Sequence, residues 1–325
     1  MKRTMNGKTR AVLLVLMVSL LLGLGACKHS DLDSGNADPS NPWAVTAVED
    51  EWLGMNPYPD KHDGGWVYSA REDCFYAMYG DDASGQNLYR IDHIGHTSEL
   101  AAEFLYGRHG SQPVIDDTGT FIYMPPSETW GGTDQLERYN TTTSELETLA
   151  QAPDYATYSH GAWKNGKLWI VLDDNNLYSY DPETDEWSSP LYDIGAMANV
   201  AGSGPGSNLI YVMVDGGSFF SYDVATDTVT PLDPHPYGFE LGGNCQLTWF
   251  GASVGFIYAA DGHNGVEPAI YDIATGTWQQ LADPQVPTGW SGHATYDSTR
   301  MRLYVTGAEN KDGEDDYDSV WYYQY

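Results

Sequence analysis

One hairpin, written four times, limits this chain more than any other feature. It reads NNLYSYDPETDEWSSPL at Asn175 to Leu191, EPAIYDIATGTWQQL at Glu267 to Leu281 and GSFFSYDVATDTVTPL at Gly217 to Leu232, with a looser copy, DQLERYNTTTSELETL, at Asp134 to Leu149. Each copy is an aromatic-rich run ending in Tyr-Asp or Tyr-Asn, three residues ending in Thr, and a second short apolar run: strand, turn, strand. The Asp or Asn side chain can accept hydrogen bonds from the turn's own amides. The residue after Thr (Asp185, Gly276, Asp227, Ser144) falls where a positive φ is expected. Hairpins recurring at this interval imply a propeller or a solenoid.

A second register counts the units. Strands of the form apolar-Tyr-apolar, or an apolar equivalent, centre on residues 76, 123, 170, 211, 258 and 304, at spacings of 47, 47, 41, 47 and 46 residues. Six copies at this interval suit an all-β, six-bladed β-propeller of four-stranded blades. In the third unit the strands are expected over Gly161 to Asn165, Lys167 to Asp173, Asn176 to Asp181 and Glu186 to Leu191. The sixth unit stops after its third strand (Ser319 to Tyr325), while an unmatched outer-strand pattern, Asp50 to Met55, stands ahead of the first. The N-terminal segment is therefore expected to supply the last strand of the last blade and close the ring, which removes both exposed edges.

These motifs carry a resemblance. SGHATYDSTRMRLYVTGAE (Ser291 to Glu309), with NLYSYDPETDEW and IYDIATGTW, resembles the Kelch-repeat family, including its galactose-oxidase-like and bacterial sialic-acid-epimerase-like branches, over roughly residues 50–325. The Gly-Gly that follows the second strand in that family is matched at Asp215-Gly216-Gly217 and replaced elsewhere, as at Asp173-Asp174-Asn175. No stretch matches the Tyr–Cys and two-histidine copper constellation of the oxidase branch, and the resemblance does not place the catalytic residues of the epimerase branch on this sequence.

The front of the chain is of another kind. Lys2, Arg3, Lys8 and Arg10 precede a 14-residue apolar run, Ala11 to Leu24, too short for the roughly 20 residues of a membrane span. The run ends in Leu24-Gly25-Ala26-Cys27, which reads as a cleaved export signal (residues 1–26) and resembles the lipobox of bacterial lipoproteins. Cys27 would carry the lipid. Lys28 rather than Asp follows it, which by that resemblance favours the outer membrane of a Gram-negative cell. The Ser/Asp/Asn/Pro-rich stretch that completes residues 27–42 reads as a disordered tether, leaving 43–325 as the propeller.

Charge excludes one class of partner. The chain carries 15 Lys+Arg against 46 Asp+Glu, and losing residues 1–26 takes its net charge from −31 to −35. Such a surface repels nucleic acid and anionic headgroups. The acidity suits either solubility in a saline habitat or attraction of divalent cations.

Candidate sites gather where loops enter the inner strands and join second to third strands, on one face of a propeller. Histidine recurs at the start of the inner strand, at His62, His109, His160 and His293, with Asn199 and Asn244 in the equivalent places. A ring of imidazoles could bind a ligand or metal. The Kelch resemblance implies instead a structural role, bonding a neighbouring blade. Arg108, Tyr158, Tyr237 and Trp290 complete the ligand-binding candidates; the aromatic loop residues suit either sugar stacking or blade packing. Carboxylates at Asp81, Asp82, Asp173 and Asp174, and at Asp312, Asp315 and Asp316 within NKDGEDDYD, could hold Ca²⁺ or simply shape turns; none has the EF-hand spacing, and no other cofactor is expected. The chain has no P-loop and no H-E-x-x-H. Cys74 and Cys245 fall in blades one and five, which are not neighbours, so they read as unpaired apolar residues.

The sequence thus predicts a monomeric, lipid-anchored extracytoplasmic module that binds a protein or glycan. A sugar-active enzyme using the same face, or a purely structural envelope lipoprotein, are the alternatives.

Overall fold

The recurring hairpin forms as its residues require. Asp181, Asp223 and Asp272 each accept hydrogen bonds at Oδ1 from turn amides (Glu183, 2.9 Å; Ala225, 2.9 Å; Ala274, 2.8 Å), and Asn140 does the same for Thr142 at 2.9 Å. The residue that ends each turn has positive φ: Ser144 58°, Asp185 55°, Asp227 54° and Gly276 72°. In two copies the tyrosine before the turn locks that residue, with Tyr180 and Tyr222 donating their hydroxyls to Asp185 and Asp227, each at 2.6 Å.

The computed structural model describes residues 45–47, 65–79, 86–92, 97–106, 108, 112–127, 134–156, 160–238, 246–251, 254–260, 268–281, 293–306 and 320–324. The chain divides into two units, Met1–Asn41 and Pro42–Tyr325, and these residues all belong to the second. The signal, Cys27 and the whole of the tether lie outside the described residues.

Six antiparallel sheets form a six-bladed β-propeller. From inner to outer strand, blade one is Gly65–Ser69, Cys74–Tyr79, Gln86–Asp92 and Ser98–Phe104; blade two is Val114–Ile115, Phe121–Met124, Gln135–Asn140 and Glu145–Gln151. Blade three is Ala162–Lys164, Lys167–Val171, Asn176–Asp181 and Glu186–Trp187, and blade four Ala198–Ala201, Leu209–Val214, Phe219–Asp223 and Thr228–Leu232. Blade five is Gln246–Phe250, Phe256–Ala260, Ala269–Asp272 and Thr277–Gln280. In blade three the outer strand ends earlier than expected, because Pro190 cannot donate to the ladder; pairing resumes at Tyr192–Asp193.

Blade six is Ala294–Asp297, Arg302–Thr306 and Val320–Gln324, completed by Val45–Ala47 from the other end of the chain. Val45 lies opposite Tyr323 and Ala47 opposite Trp321. Closure by the N-terminal segment therefore holds, with the closing strand earlier than the Asp50 to Met55 pattern, which lies outside the described residues.

The core is a set of seams between blades. Along the inner strand of blade one, Val67 packs toward blade two while Trp66 and Tyr68 pack toward blade six, the period-two alternation of a strand buried on both faces. The six residues used to count the blades (Tyr76, Tyr123, Ile170, Tyr211, Tyr258, Tyr304) all sit in second strands, none more than 3% exposed. The closing seam stacks Phe75 edge-on to Tyr304 at 5.1 Å between centroids. A polar clasp joins the same two blades: Arg300 pairs with both Asp73 oxygens at 2.6 and 2.8 Å, and Tyr68 donates to Asp73 at 2.7 Å or to Thr299 at 2.8 Å.

Candidate functional site

Inner strands lie nearest the axis because each packs against the first strands of the neighbouring blades. Where a neighbour comes close the side chain must vanish: a Cβ on Gly65 would stand 2.5 Å from Pro113 Cδ. Blades three and six face each other across this ring, so residues at the leading ends of their inner strands can meet on the axis. His160 and His293 do. Their ring centroids are 6.3 Å apart, and the residues are 1% and 4% exposed.

The backbone of His160 is tied to blade four, its amide donating to Asn199 Oδ1 at 2.9 Å and its carbonyl accepting from Val200 at 2.9 Å. The imidazole makes no hydrogen bond from either nitrogen. Burial, with His293 alongside, pushes its pKa down to about 3, so it stays neutral across the physiological range. Two of the expected ring members thus converge, and a third, Asn199, holds the backbone of one of them, His160. His62, His109 and Asn244 lie outside the described residues.

The other candidates among the described residues do not join this pair. Arg108 is completely buried: Nη1 meets Glu137 Oε2 at 2.8 Å, and the guanidinium also donates to the carbonyls of Pro125, Tyr106 and Gln135. It pins the crossover from blade one to blade two. Tyr237 is exposed, but its hydroxyl donates to Gln280 at 2.6 Å, on the outer strand of blade five and so at the periphery. Asp174 is used by its own turn, accepting from the Asn176 amide at 3.0 Å and the Tyr178 hydroxyl at 2.6 Å, while the Asp173 amide bonds the Tyr155 carbonyl. Among the described residues no three His, Cys, Asp or Glu side chains group to hold a metal ion. Asp81, Asp82, Asp312, Asp315, Asp316, Tyr158 and Trp290 lie outside those residues, as does Cys245; Cys74 is a free, buried thiol.

A cavity of about 1030 Å³ lies on the axis along the inner strands. Its walls run from Gly161 and Ala294, next to the histidine pair, to the turns that lead to the second strands. Trp66 and Tyr68 come from blade one, Trp163 from blade three, Trp249 from blade five and Tyr296 from blade six. Trp249 meets Tyr296 edge-on at 5.7 Å, and Trp163 stacks one face on Tyr123 at 5.0 Å. Polar groups come from the turns of blades two to four: Asp116, Asp117, Lys164, Asn165, Ser203 and Asn208. Asn165 donates to Asn208 at 3.1 Å, bridging two blades at the rim.

Sequence reasoning passed over these residues. The signal that could have found them is the aromatic residue recurring in the inner strand, at Trp66, Trp163, Trp249 and Tyr296, because the inner strand is the one that borders the channel.

No family model matches the chain, and no curated protein sequence matches it. Solved structures do. One described as the structure of YjhT aligns with a TM-score of 0.59 at 15% identity, covering 82% of this chain and 96% of that one. A structural-genomics protein of unknown function from Bacteroides thetaiotaomicron aligns at 0.59 and 12% identity, over 87% of this chain and 76% of the other. A fungal alcohol oxidase of the AA5 family, in complex with copper, aligns at 0.60 and 13% identity over 82% of this chain, which spans only 63% of the oxidase. At these identities the likeness is one of fold.

Proposed function

We propose that this propeller is a ligand-binding module, anchored outside the cytoplasmic membrane by a lipid on Cys27, and that its ligand seat is the axial cavity. The observation that carries the reading is the cavity itself. At about 1030 Å³ it stands at the upper end of small-molecule sites, which run to roughly 300–1,000 Å³ and set a few polar groups among aromatic walls. A concave seat of this volume takes the end of a glycan or a small molecule more readily than a flat protein face. The closed ring that frames it is rigid, so binding costs little ordering of the site.

The Kelch-type reading draws support from the Tyr-Asp-x-x-Thr hairpins and from the oxidase among the fold's neighbours. The anchor, and outer-membrane residence in a Gram-negative cell, draw support from Leu24-Gly25-Ala26-Cys27-Lys28. Metabolic labelling with a palmitate analogue tests the anchor: Cys27→Ala should abolish incorporation. A sugar-active enzyme at the histidine end of the channel is the second reading, favoured by the unpartnered imidazole of His160 on the axis.

Ligand binding is tested by screening the purified chain, by tryptophan emission and melting temperature, against glycans and small polar molecules. A saturable response that Trp249→Leu weakens about tenfold is expected, since an aromatic wall is removed. If no compound responds, or every response survives substitutions in the cavity wall, the cavity is not the seat.

A further inference from the structure

Among the described residues three charged groups line the axial cavity, and their bonding is unequal. Asp116 is spent on its turn, its Oδ1 accepting from the amides of Thr120 and Phe121 at 2.8 and 3.0 Å and its Oδ2 from the Thr118 hydroxyl at 2.6 Å. Lys164 is buried, 7% exposed, and turns its ammonium to the carbonyls of Ser203 and Gly204 at 3.2 and 3.1 Å. Asp117 makes no ion pair among the described residues. Desolvation pushes its carboxyl above the usual carboxylate range, and the Lys164 charge and a hydrogen bond from the Trp163 side chain offset that shift only in part. The wall therefore carries one more negative charge than positive, in a chain whose formal charge is −31.

Two further features act in the same direction. Aromatic faces attract cations through their ring quadrupoles, and five aromatic residues line this cavity. A concave site with low-dielectric walls concentrates the field of its own charges. An anionic ligand would meet repulsion with Lys164 already engaged. A cation would give Asp117 an ion pair in addition to its hydrogen bond with Trp163.

We infer that the axial cavity selects a ligand bearing a positively charged amino group, with Asp117 facing the ammonium and the ring of Trp163 beside it. This rests on the reading of the cavity as the ligand seat and narrows it to one charge class. An amino sugar at the end of a glycan has this chemistry, and so does a free alkylamine.

The discriminating probes share one skeleton and differ in charge: the trimer of glucosamine and the trimer of N-acetylglucosamine, with choline and spermidine as non-sugar cations. Binding to the full chain is read by calorimetry and tryptophan emission at pH 7. At least one cationic probe should bind about tenfold more tightly than the acetylated trimer, and should weaken as NaCl rises from roughly 20 to about 500 mM. Asp117 is exposed, so Asp117→Asn should fold normally and reduce that preference to less than about threefold. Asn208→Ala, on the same wall but uncharged, should leave the preference intact. Equal or tighter binding of the acetylated trimer overturns the charge selection and leaves the ligand seat standing. So does a failure of every cation while some other compound binds in a manner sensitive to Trp249→Leu. A cation preference that survives Asp117→Asn places the cation elsewhere and also overturns the inference.

Discussion

Replacing Glu137 with Gln should test the most deeply buried charge pair in the described structure. Arg108 and Glu137 both have side chains that are 0% exposed, with Nη1 and Oε2 at 2.8 Å. Glu137 Oε1 also accepts from the Leu105 amide at 3.2 Å, so one carboxylate holds both the guanidinium and the end of blade one. Glu137→Gln keeps the shape and one acceptor but strands a buried cation, a change that costs about 3–5 kcal/mol in comparable buried pairs. For a domain of this size the melting temperature should fall by roughly 6–15 °C. Differential scanning calorimetry at pH 7, with urea unfolding to fix the free energy, provides the measurement. The double variant Arg108→Met/Glu137→Leu removes both charges and should recover most of the loss, since apolar replacement of a whole buried pair is often neutral. Added salt should change neither result much, because buried charges are weakly screened. A drop of less than about 1 °C for Glu137→Gln, or a double variant worse than the single, would refute the claim that the pair is a closed structural unit.

Acid should destabilise the fold through its neutral histidines. The folded pKa values of His160 and His235 are depressed, to about 3 and about 4, chiefly by burial, whereas the unfolded imidazoles protonate near 6.5. Their cost is absent above pH 6.5 and grows by up to about 1.4 kcal/mol per pH unit each as pH falls toward those folded values. Urea midpoints between pH 7 and 5 should therefore decline, and His160→Gln should flatten the slope; a flat wild-type curve would contradict the burial argument. Ser144, at φ 58° and with no side-chain bond needed by the turn, should accept Gly with a gain of up to about 1 kcal/mol and lose at least that much as Val. Deleting residues 1–47 leaves the strand Val320–Gln324 as an open edge and should remove most of the cooperative thermal transition; an unchanged melting temperature would mean the ring does not depend on its closing strand.

What could be read from the sequence divides along the range of the interactions involved. The hairpins were legible because everything that makes them lies within five residues: Asp272 holds its own turn amides, and Gly276 supplies the positive φ. The blade count followed, since one buried residue per second strand recurs whatever its neighbours do. The closing strand was misplaced because edge pairing is a backbone event. Val45–Ala47 need only be extended beside Tyr322 and Tyr323, and no side-chain motif announces that. Arg108 was read as a ligand-facing cation for a similar reason. Its partner, Glu137, lies in a repeat copy where a glutamate looks like an ordinary polar strand residue, and only the crossover between blades one and two brings the two together inside the protein.

The cavity aromatics show the ambiguity in its sharpest form. A strand in a propeller is buried on both faces, so an aromatic residue in the inner strand is equally compatible with a seam and with the channel wall. Trp66 and Tyr68 pack into the seam between blades six and one and also border the cavity, whereas Tyr296 packs at the seam between blades five and six while meeting Trp249 edge-on at the wall. The same side chains thus stabilise the ring and shape its binding surface. Substitutions such as Trp249→Leu must for that reason be judged by melting temperature and affinity together: loss of binding with an intact transition speaks for the wall, and parallel loss of both speaks for the seam.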